Sequence, residues 1–269
     1  MKVRLVGLVT LCALTLILSI PSRDGHSQTT KAAPSKAEQD LLNEINQARA
    51  NPQLYASHLE KLKPLFKGKE YKTETLAVTT EEGWSAVEDA IAFLRAAKPV
   101  GPLSRSEGLC FAAIAHVKDQ SGSGATGHKT SGNGGLVEDR VKPFGNWQGG
   151  IGENLAYGNE SARDRILTWL IDDGFASRGH RRRLMSADYK VAGLSCGPHP
   201  EYGTMCCLTV AGSFIDAGTA KSSNSNQNSS SGVLKNSGAA RNTNAAKSSN
   251  SGGATNANNG KTTTKPRSF

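Results

Sequence analysis

The C-terminal end of the chain has a composition that cannot form a hydrophobic core. Residues 217–269 consist mostly of Ser, Asn, Ala, Gly, Thr and Lys, and Val233 and Leu234 are almost their only large apolar residues. Such a segment buries too little apolar surface to offset the entropy that it would lose on ordering. We therefore predict a disordered tail over 217–269 and a fold confined to the residues before it.

The N-terminal end has the layout of a secretory signal peptide. Lys2 and Arg4 precede an apolar run over 5–20, and polar residues follow it. The run of about 16 residues is shorter than the roughly 20 that a membrane-spanning helix needs, so secretion is favoured over a membrane anchor. We predict an extracellular protein with no transmembrane segment after signal cleavage. Its predicted parts are a signal peptide over 1–28, a linker over 29–36 and one folded domain over 37–216.

The positive charge of the chain lies mostly outside this predicted domain. The whole chain has a formal net charge of +9, whereas residues 36–216 contain 21 Lys and Arg against 22 Asp and Glu. A nucleic-acid-binding domain needs a basic face, so we predict no nucleic-acid partner. The tail carries single scattered cations, which indicate a solvated linker or weak adhesion to an acidic cell surface.

Apolar residues recur at helical spacing in five segments of the predicted domain. Thr79 with Glu82 forms a capping-box pattern before the third of them, and Ser161 with Asp164 forms another before the last. The predicted helices are 37–50, 55–65, 84–99, 106–119 and 159–173.

The remaining segments indicate loops and a hairpin. Residues 66–77 and 122–135 are rich in Gly and polar residues, which favours loops. Residues 191–196 and 204–214 are predicted strands around a turn-rich segment.

Four cysteines remain after removal of the leader, and an even number in a secreted chain favours disulfides. Adjacent residues of a strand point to opposite faces, so Cys206 and Cys207 cannot share a partner. One of them can pair with Cys196 across the hairpin, and the other can face the helix that bears Cys110. The sequence leaves the connectivity open.

Two histidines and a glutamate lie beside glycines, which lets the backbone present polar groups closely. His128 follows a glycine-rich loop, Glu153 sits in a glycine-flanked turn, and His180 follows Gly179. Two neutral imidazoles with a carboxylate can bind a divalent metal such as zinc. Alternatively, a carboxylate can fix the tautomer of one imidazole for proton transfer. His116, on an alanine-rich helix face, is interpreted as a core residue.

Two carboxylates close the last predicted helix. Asp172 and Asp173 oppose the helix dipole there, which favours a site that holds them. Simple exposure beside Arg178 or Arg181 is the alternative. The basic run over 181–183 indicates a solvated face.

In order and spacing, these segments resemble the CAP domain, also called the SCP-like domain, of cysteine-rich secretory proteins, plant pathogenesis-related proteins, venom antigens and bacterial YkwD-like proteins. The resemblance covers 37–216, and its motifs are specific together rather than singly. They are LLNEINQARANP, PLSRSEGLCFAAIAHVKDQ, GATGHKT, GENLAYG, TWLIDDGFASRGHRRRLM and MCCLTVAGSF.

The resemblance implies an α+β fold, a three-layer α-β-α sandwich with a central, mainly antiparallel sheet. It also implies a cleft tetrad of two His and two acidic residues, which in some members binds zinc or another divalent cation. Here the tetrad is His128, Glu153, Asp172 and His180, with the two histidines as metal ligands. Asp173 is the second choice for the last acidic position.

One position departs from the family pattern. The family usually has a Glu three residues after the helix Trp, and here Trp169 is followed at that spacing by Asp172. Asp is one methylene shorter than Glu, so its carboxylate has a shorter reach. If the cleft has lost its function, this is the position where we expect the loss to be visible. The resemblance further implies that Asn154 supports its turn and that Asn46 and Arg49 tie the first helix to the core.

The function implied by the resemblance is a non-enzymatic extracellular binding or signalling module. Its cleft would bind a divalent cation and a small apolar ligand, such as a lipid or sterol. One alternative is a peptidase-like, metal-dependent hydrolase with Glu153 as general base, although the chain lacks HExxH and GxSxG. Another is a cell-surface adhesion protein that acts through its basic tail. The oligomeric state stays open.

Deletion of residues 217–269 is expected to leave folding intact, because the tail contributes no core. Thermal unfolding of the full-length and shortened chains should give melting temperatures within about 2 °C of each other, less than the effect of 1 kcal/mol on a domain of this size. A large fall in melting temperature on deletion would contradict the linker interpretation.

Overall fold

The computed structural model describes residues 33–74, 77–132 and 135–217. The predicted signal peptide and all but the first residue of the predicted tail lie outside these ranges. Within them, no helix combines the length and apolar character needed to cross a membrane.

The described part contains seven α-helices and seven β-strands. Its α-helices are α1 (Lys36–Ala50), α2 (Pro52–Glu60), α3 (Trp84–Ala96), α4 (Glu107–Ser123), α5 (Val137–Val141), α6 (Ala162–Ile171) and α7 (Gly179–Met185). Its strands are β1 (Phe66–Lys67), β2 (Glu70–Lys72), β3 (Ala77–Thr79), β4 (Ser104–Arg105), β5 (Gly145–Tyr157), β6 (Val191–His199) and β7 (Gly203–Asp216). Two 3₁₀ helices, Lys63–Leu65 and Lys142–Phe144, complete it.

The central sheet has the strand order β4-β6-β7-β5, and only the short β4–β6 pair is parallel. Strand alternation directs Leu208 and Val210 of β7 into a core shared with α1, α2, α3, α6 and α7. Met205 and Cys207, one residue out of phase, pack against α4 on the other face. The sheet therefore lies between two helical layers, which confirms the predicted α+β fold.

The same alternation decides the cysteine chemistry. Cys206 lies opposite Cys196 in the β6–β7 register, and these two form a disulfide. Cys207 points to the opposite face, where it packs with residues of α4. The prediction that one of the adjacent cysteines pairs with Cys196 is confirmed. Cys110 and Cys207 were also disulfide candidates, and that was wrong for both, since each is a buried free thiol.

Two local predictions before α3 were wrong. Residues 66–77 were expected to be a loop, but β1, β2 and β3 form a small antiparallel sheet, with strands too short to show a period. The capping box at Thr79 and Glu82 does not form. Instead, α3 follows Gly83, whose N–H donates to the hydroxyl of Thr80 at 3.0 Å.

The largest departure is β5, which the sequence presented as a turn around Glu153. Its thirteen residues pair with β7 along most of their length. Gly149 and Gly150 form a bulge opposite Gly212, and Gly149 has φ +73°. A β-bulge breaks the two-residue alternation by which strands are found in sequences, so the glycines indicated a turn.

Arg49 connects α1 to segments that lie far from it in the sequence, at residue 101 and over 184–189. Its buried guanidinium donates to the carbonyl oxygens of Gly101, Leu184, Ser186 and Tyr189. All four acceptors belong to connecting or terminal segments, whose carbonyls have no partner in a regular element.

Asn46, one turn earlier on α1, makes a reciprocal pair with the backbone of Leu103. Its side-chain amide donates to the Leu103 carbonyl at 3.1 Å, and its side-chain oxygen accepts from the Leu103 N–H at 2.8 Å. The two residues together fix α1 against the segment that enters the sheet.

The Arg49→Met variant is expected to unfold with a free energy about 2–4 kcal/mol lower than that of the native chain, because four backbone carbonyls, one of them fully buried, lose a charged donor. Equilibrium urea unfolding measures this difference. Arg95→Met is the matched control, since Arg95 pairs with Glu60 at the surface and should cost less than about 1 kcal/mol. Equal losses in the two variants would contradict the role given to Arg49.

Candidate functional site

Asp172 ends α6 and reaches back to His180. It adopts the left-handed conformation with φ 55°, and its N–H still donates to the carbonyl of Thr168. This turn directs its carboxylate to the Nδ1 of His180 at 2.6 Å and to the His180 N–H at 2.8 Å. Although Asp is shorter than Glu, the turned backbone brings it within hydrogen-bond distance of the imidazole.

Asp173 points away from the histidines. Its two oxygens accept from the backbone N–H groups of Glu81 and Glu82 at 2.7 and 2.9 Å. The structure thus uses this carboxylate to hold the segment before α3, and it does not bring Asp173 into the tetrad.

Glu153 lies on β5 with its side chain buried. One oxygen is 2.9 Å from Nδ1 of His128, and the other accepts from the guanidinium of Arg140 and the thiol of Cys207. Burial raises the pKa of Glu153, but the hydrogen bond from His128 and the charge of Arg140 outweigh it and hold the pKa below its ordinary value. The carboxylate is therefore ionised.

Arg140 is the site residue that the sequence analysis missed. It lies on α5 between Val137 and Val141, which are buried beside it. Besides pairing with Glu153, it donates to the backbone carbonyl of His128 at 2.8 Å. The spacing of three positions between Val137 and Arg140, which lie on one face of a helix, is the signal that could have revealed it.

The loop that carries His128 is held at several further points. The N–H of Gly127 donates to the hydroxyl of Tyr157, and the Gly127 carbonyl accepts from the side-chain amide of Gln120. His199 contacts the carbonyl of Ala125 at 3.0 Å. These contacts fix the backbone before His128, so the loop presents its imidazole in one place.

The two histidines face a common cleft. Their ring centroids lie 6.5 Å apart, and both rings line a cavity of about 260 Å³. Glu153 and Asp172 do not line it, because each lies buried behind its histidine. The structure thus brings the four predicted tetrad residues together as two carboxylate–imidazole pairs. The other lining residues are Thr126, Gly127, Leu155, Tyr157, Thr168, Trp169, Phe175 and Tyr202.

The chain matches the sequence model of the CAP family, described as the cysteine-rich secretory protein family, over residues 42–210. This match spans more than half of the sequence. The chain belongs to the CAP family. The match confirms the family resemblance that the motifs predicted. No curated protein gives a significant match.

Two solved structures resemble the chain. One is an extracellular protein with an SCP domain from Bacillus anthracis, at 18% identity and a TM-score of 0.34, over 56% of this chain and 43% of that one. The other is an outer surface protein from Borrelia burgdorferi, at 16% identity and a TM-score of 0.36, over 42% of this chain and 78% of that one. The chain therefore spans less than half the length of the Bacillus protein.

Asn154 holds the His180 side of the CAP cleft. Its amide nitrogen donates to the backbone carbonyl of His180 at 3.2 Å, and its oxygen accepts from Arg183 at 2.6 Å. Since Asn154 follows Glu153 on β5, consecutive residues of one strand contact the two histidine segments. The sheet order places β5 at an edge, so the cleft is built around that edge.

The loop between Asp172 and His180 is fixed by charge. Arg178, in the left-handed conformation with φ 48°, pairs with both Glu82 and Asp89. Arg181 is 2% exposed and donates to the last carbonyls of α6, so the prediction of a solvated face was wrong for this residue. Burial is possible because these carbonyls and Asp89 supply its acceptors.

The ion pair between Arg178 and Glu82, called the clamp below, should make the stability of the CAP domain depend on pH in the acidic range. The hydrogen bonds from Arg178 lower the pKa of Glu82 from 4.5 to about 2. A carboxylate whose pKa is lower in the folded than in the unfolded state contributes its full stabilisation of the fold above the unfolded-state pKa. For Glu82 this contribution is lost as the pH falls from about 4.5 to about 2.

We therefore expect Glu82→Gln to lower the melting temperature by a few degrees at pH 6 and to have a much smaller effect near pH 2. Thermal unfolding across this range measures the difference. Glu70→Gln, at an exposed position of β2, is the control and should show no such convergence. A constant difference between Glu82→Gln and the native chain at all pH values would refute the clamp.

Proposed function

We propose that this CAP-domain protein is a secreted, non-enzymatic binding module. Its cleft takes zinc or another divalent cation at His128 and His180, beside an apolar wall that accepts part of a small hydrophobic ligand. The observation that carries the proposal is the position of the carboxylates, which hold Nδ1 of each histidine from behind.

This arrangement prepares the imidazoles as ligands. An ionised carboxylate can only accept a hydrogen bond, so Nδ1 of each neutral ring carries the proton and Nε2 keeps its lone pair. A carboxylate that fixes the tautomer and orientation of a histidine in this way is the usual support of a metal-binding imidazole. The donor set of His128 and His180 therefore fits a divalent cation that prefers nitrogen ligands.

The number of protein ligands argues for exchangeable binding. No group of three or more His, Cys, Asp or Glu side chains within residues 33–74, 77–132 and 135–217 is arranged to hold a metal ion. Structural zinc sites use four protein ligands, and catalytic sites commonly use three. Two imidazoles leave the other positions to water or to an incoming ligand, so removal of the cation should not unfold the domain.

The rest of the cleft is mostly apolar or aromatic. Leu155 and Trp169 form buried parts of its wall, while Phe175 is 48% exposed and stands edge-on to His180, with ring centroids 5.3 Å apart. The cavity of about 260 Å³ falls just below the roughly 300–1,000 Å³ of sites that enclose a drug-sized ligand. We propose that one end of a lipid or a similar apolar molecule enters it.

The hydrolase alternative requires Glu153 to activate a water molecule in the cleft. Both of its oxygens are committed to His128, Arg140 and Cys207, and the residue is 3% exposed. A general base must lie within hydrogen-bond reach of the proton that it removes. This geometry favours the binding module. Adhesion through the tail concerns residues outside the described ranges and stays a prediction.

Titration of the metal-free protein with Zn²⁺ and with Co²⁺ tests the proposal. We expect the native chain to bind one cation and the double variant His128→Ala, His180→Ala to bind at least about tenfold more weakly, since imidazoles supply all of its protein ligands. Calorimetry gives the affinity, and the Co²⁺ absorption spectrum reports nitrogen coordination.

His58→Ala is the matched control, because the His58 ring lies edge-on to Tyr55 on α2 and does not line the cleft. It should bind both cations as the native chain does. Equal metal binding by the double variant and the native chain would refute the cleft site.

A further inference from the structure

A second concavity, larger than the cleft, lies where the β5 bulge and the end of β7 face α7 and the segment before β6. Its volume is about 800 Å³, and it shares no lining residue with the histidine cleft. Its lining includes Gly149, Gly150 and Gly212 of the sheet together with the three cations Arg182, Arg183 and Lys190. We call it the basic groove.

Among the described residues, the cations of the basic groove have no carboxylate partner, whereas most other arginines of the domain do. Within the described ranges, Arg182 and Lys190 form no ion pair, and Arg183 donates to the neutral amide of Asn154. The buried Arg49 binds carbonyls instead. The arginines that contact a carboxylate are Arg95, Arg105, Arg140, Arg163, Arg165, Arg178 and Arg181.

The groove holds one opposing charge. Asp188 lines it, and its carboxylate accepts from the hydroxyl of Ser186 at 3.2 Å. Three cations therefore face one carboxylate, in a domain whose total charge is close to neutral. Such a local excess attracts anions into a concave surface more strongly than scattered charges do.

Glycines form part of the groove surface. Gly149, Gly150 and Gly212 line it without side chains of their own, and the Tyr189 ring lies beside Gly150 while the Gln148 carbonyl lies beside Gly212. The volume of the groove, about 800 Å³, is much larger than one small ion requires. Tyr189, which also lines it, offers a ring edge beside Gly150.

We propose that the basic groove binds an acidic polysaccharide that carries phosphate or sulfate groups. The guanidinium fork of arginine matches the oxygens of both groups, and the separate cations fit charges that repeat along a polymer. The tail of this chain does not suit the groove, because residues 217–269 contain seven Lys and Arg and no Asp or Glu.

Binding of three trisaccharides to the full-length protein tests this assignment. One carries sulfate groups, one carries phosphate groups, and the third is neutral. Calorimetry gives the affinities, and the amide NMR signals of Gly149, Gly150 and Gly212 report the location. We expect these signals to shift with either charged sugar and to stay in place with the neutral one. Binding of only one charged sugar would identify which group the groove accepts.

The variant Arg182→Ala, Lys190→Ala should bind the charged sugars about tenfold more weakly, the effect of losing two exposed ionic contacts. Arg183 is kept, because it supports Asn154. The control variant Lys67→Ala, Lys98→Ala removes two exposed cations elsewhere and should bind as the native chain does. Both variants keep the basic tail, so their difference reports the groove.

Three results would overturn the assignment. The first is an equal loss of affinity in both double variants, which would indicate nonspecific attraction. The second is equal binding of the neutral and the charged sugars. The third is the absence of shifts at the three glycines. Matching melting temperatures of the two variants exclude misfolding as the cause of any difference.

Discussion

The buried carboxylate of Glu153 is the constraint on which the site depends. An ionised group inside a protein is costly unless charges and hydrogen bonds compensate it, and here Arg140, His128 and Cys207 do so. Arg140 lies on α5 and also donates to the carbonyl of His128. The residue that compensates the charge of Glu153 therefore also fixes the positions of α5 and of the loop that carries His128. The His128 half of the cleft is thus a consequence of burying Glu153 in the sheet.

The His180 half is built by a different device. Asp172 leaves the helix in a left-handed conformation, which costs energy for a residue other than glycine. The strain is compatible with stability because its carboxylate receives the N–H and Nδ1 of His180, while Arg178 and Asp173 fasten the loop to the segment before α3. The conformation also explains how Asp serves where the family usually has Glu.

Helical periodicity predicted the main helices, and strand alternation predicted the disulfide partner of Cys196, because both depend on local geometry. The glycines of the bulge interrupt the alternation of β5, so this strand was not predicted. Arg140 was not predicted as a site residue, although it lies on a short helix with the buried Val137. The residues themselves marked His128, Glu153, Asp172 and His180 as candidates, and the family resemblance grouped them as a tetrad. No local pattern reports that His128 and His180, fifty-two positions apart in the sequence, approach the same strand.

The two carboxylates behind the cleft differ in how their charge is compensated, which bears on the proposed cation site. Glu153 is neutralised by Arg140, so this pair adds little field. The carboxylate of Asp172 contacts the backbone N–H groups of His180 and Arg181 and the His180 ring rather than a guanidinium. Dipoles stabilise a negative charge without cancelling it. If the cleft binds a cation as proposed, the carboxylate without a guanidinium partner is that of Asp172, the position that departs from the family pattern, which contacts His180.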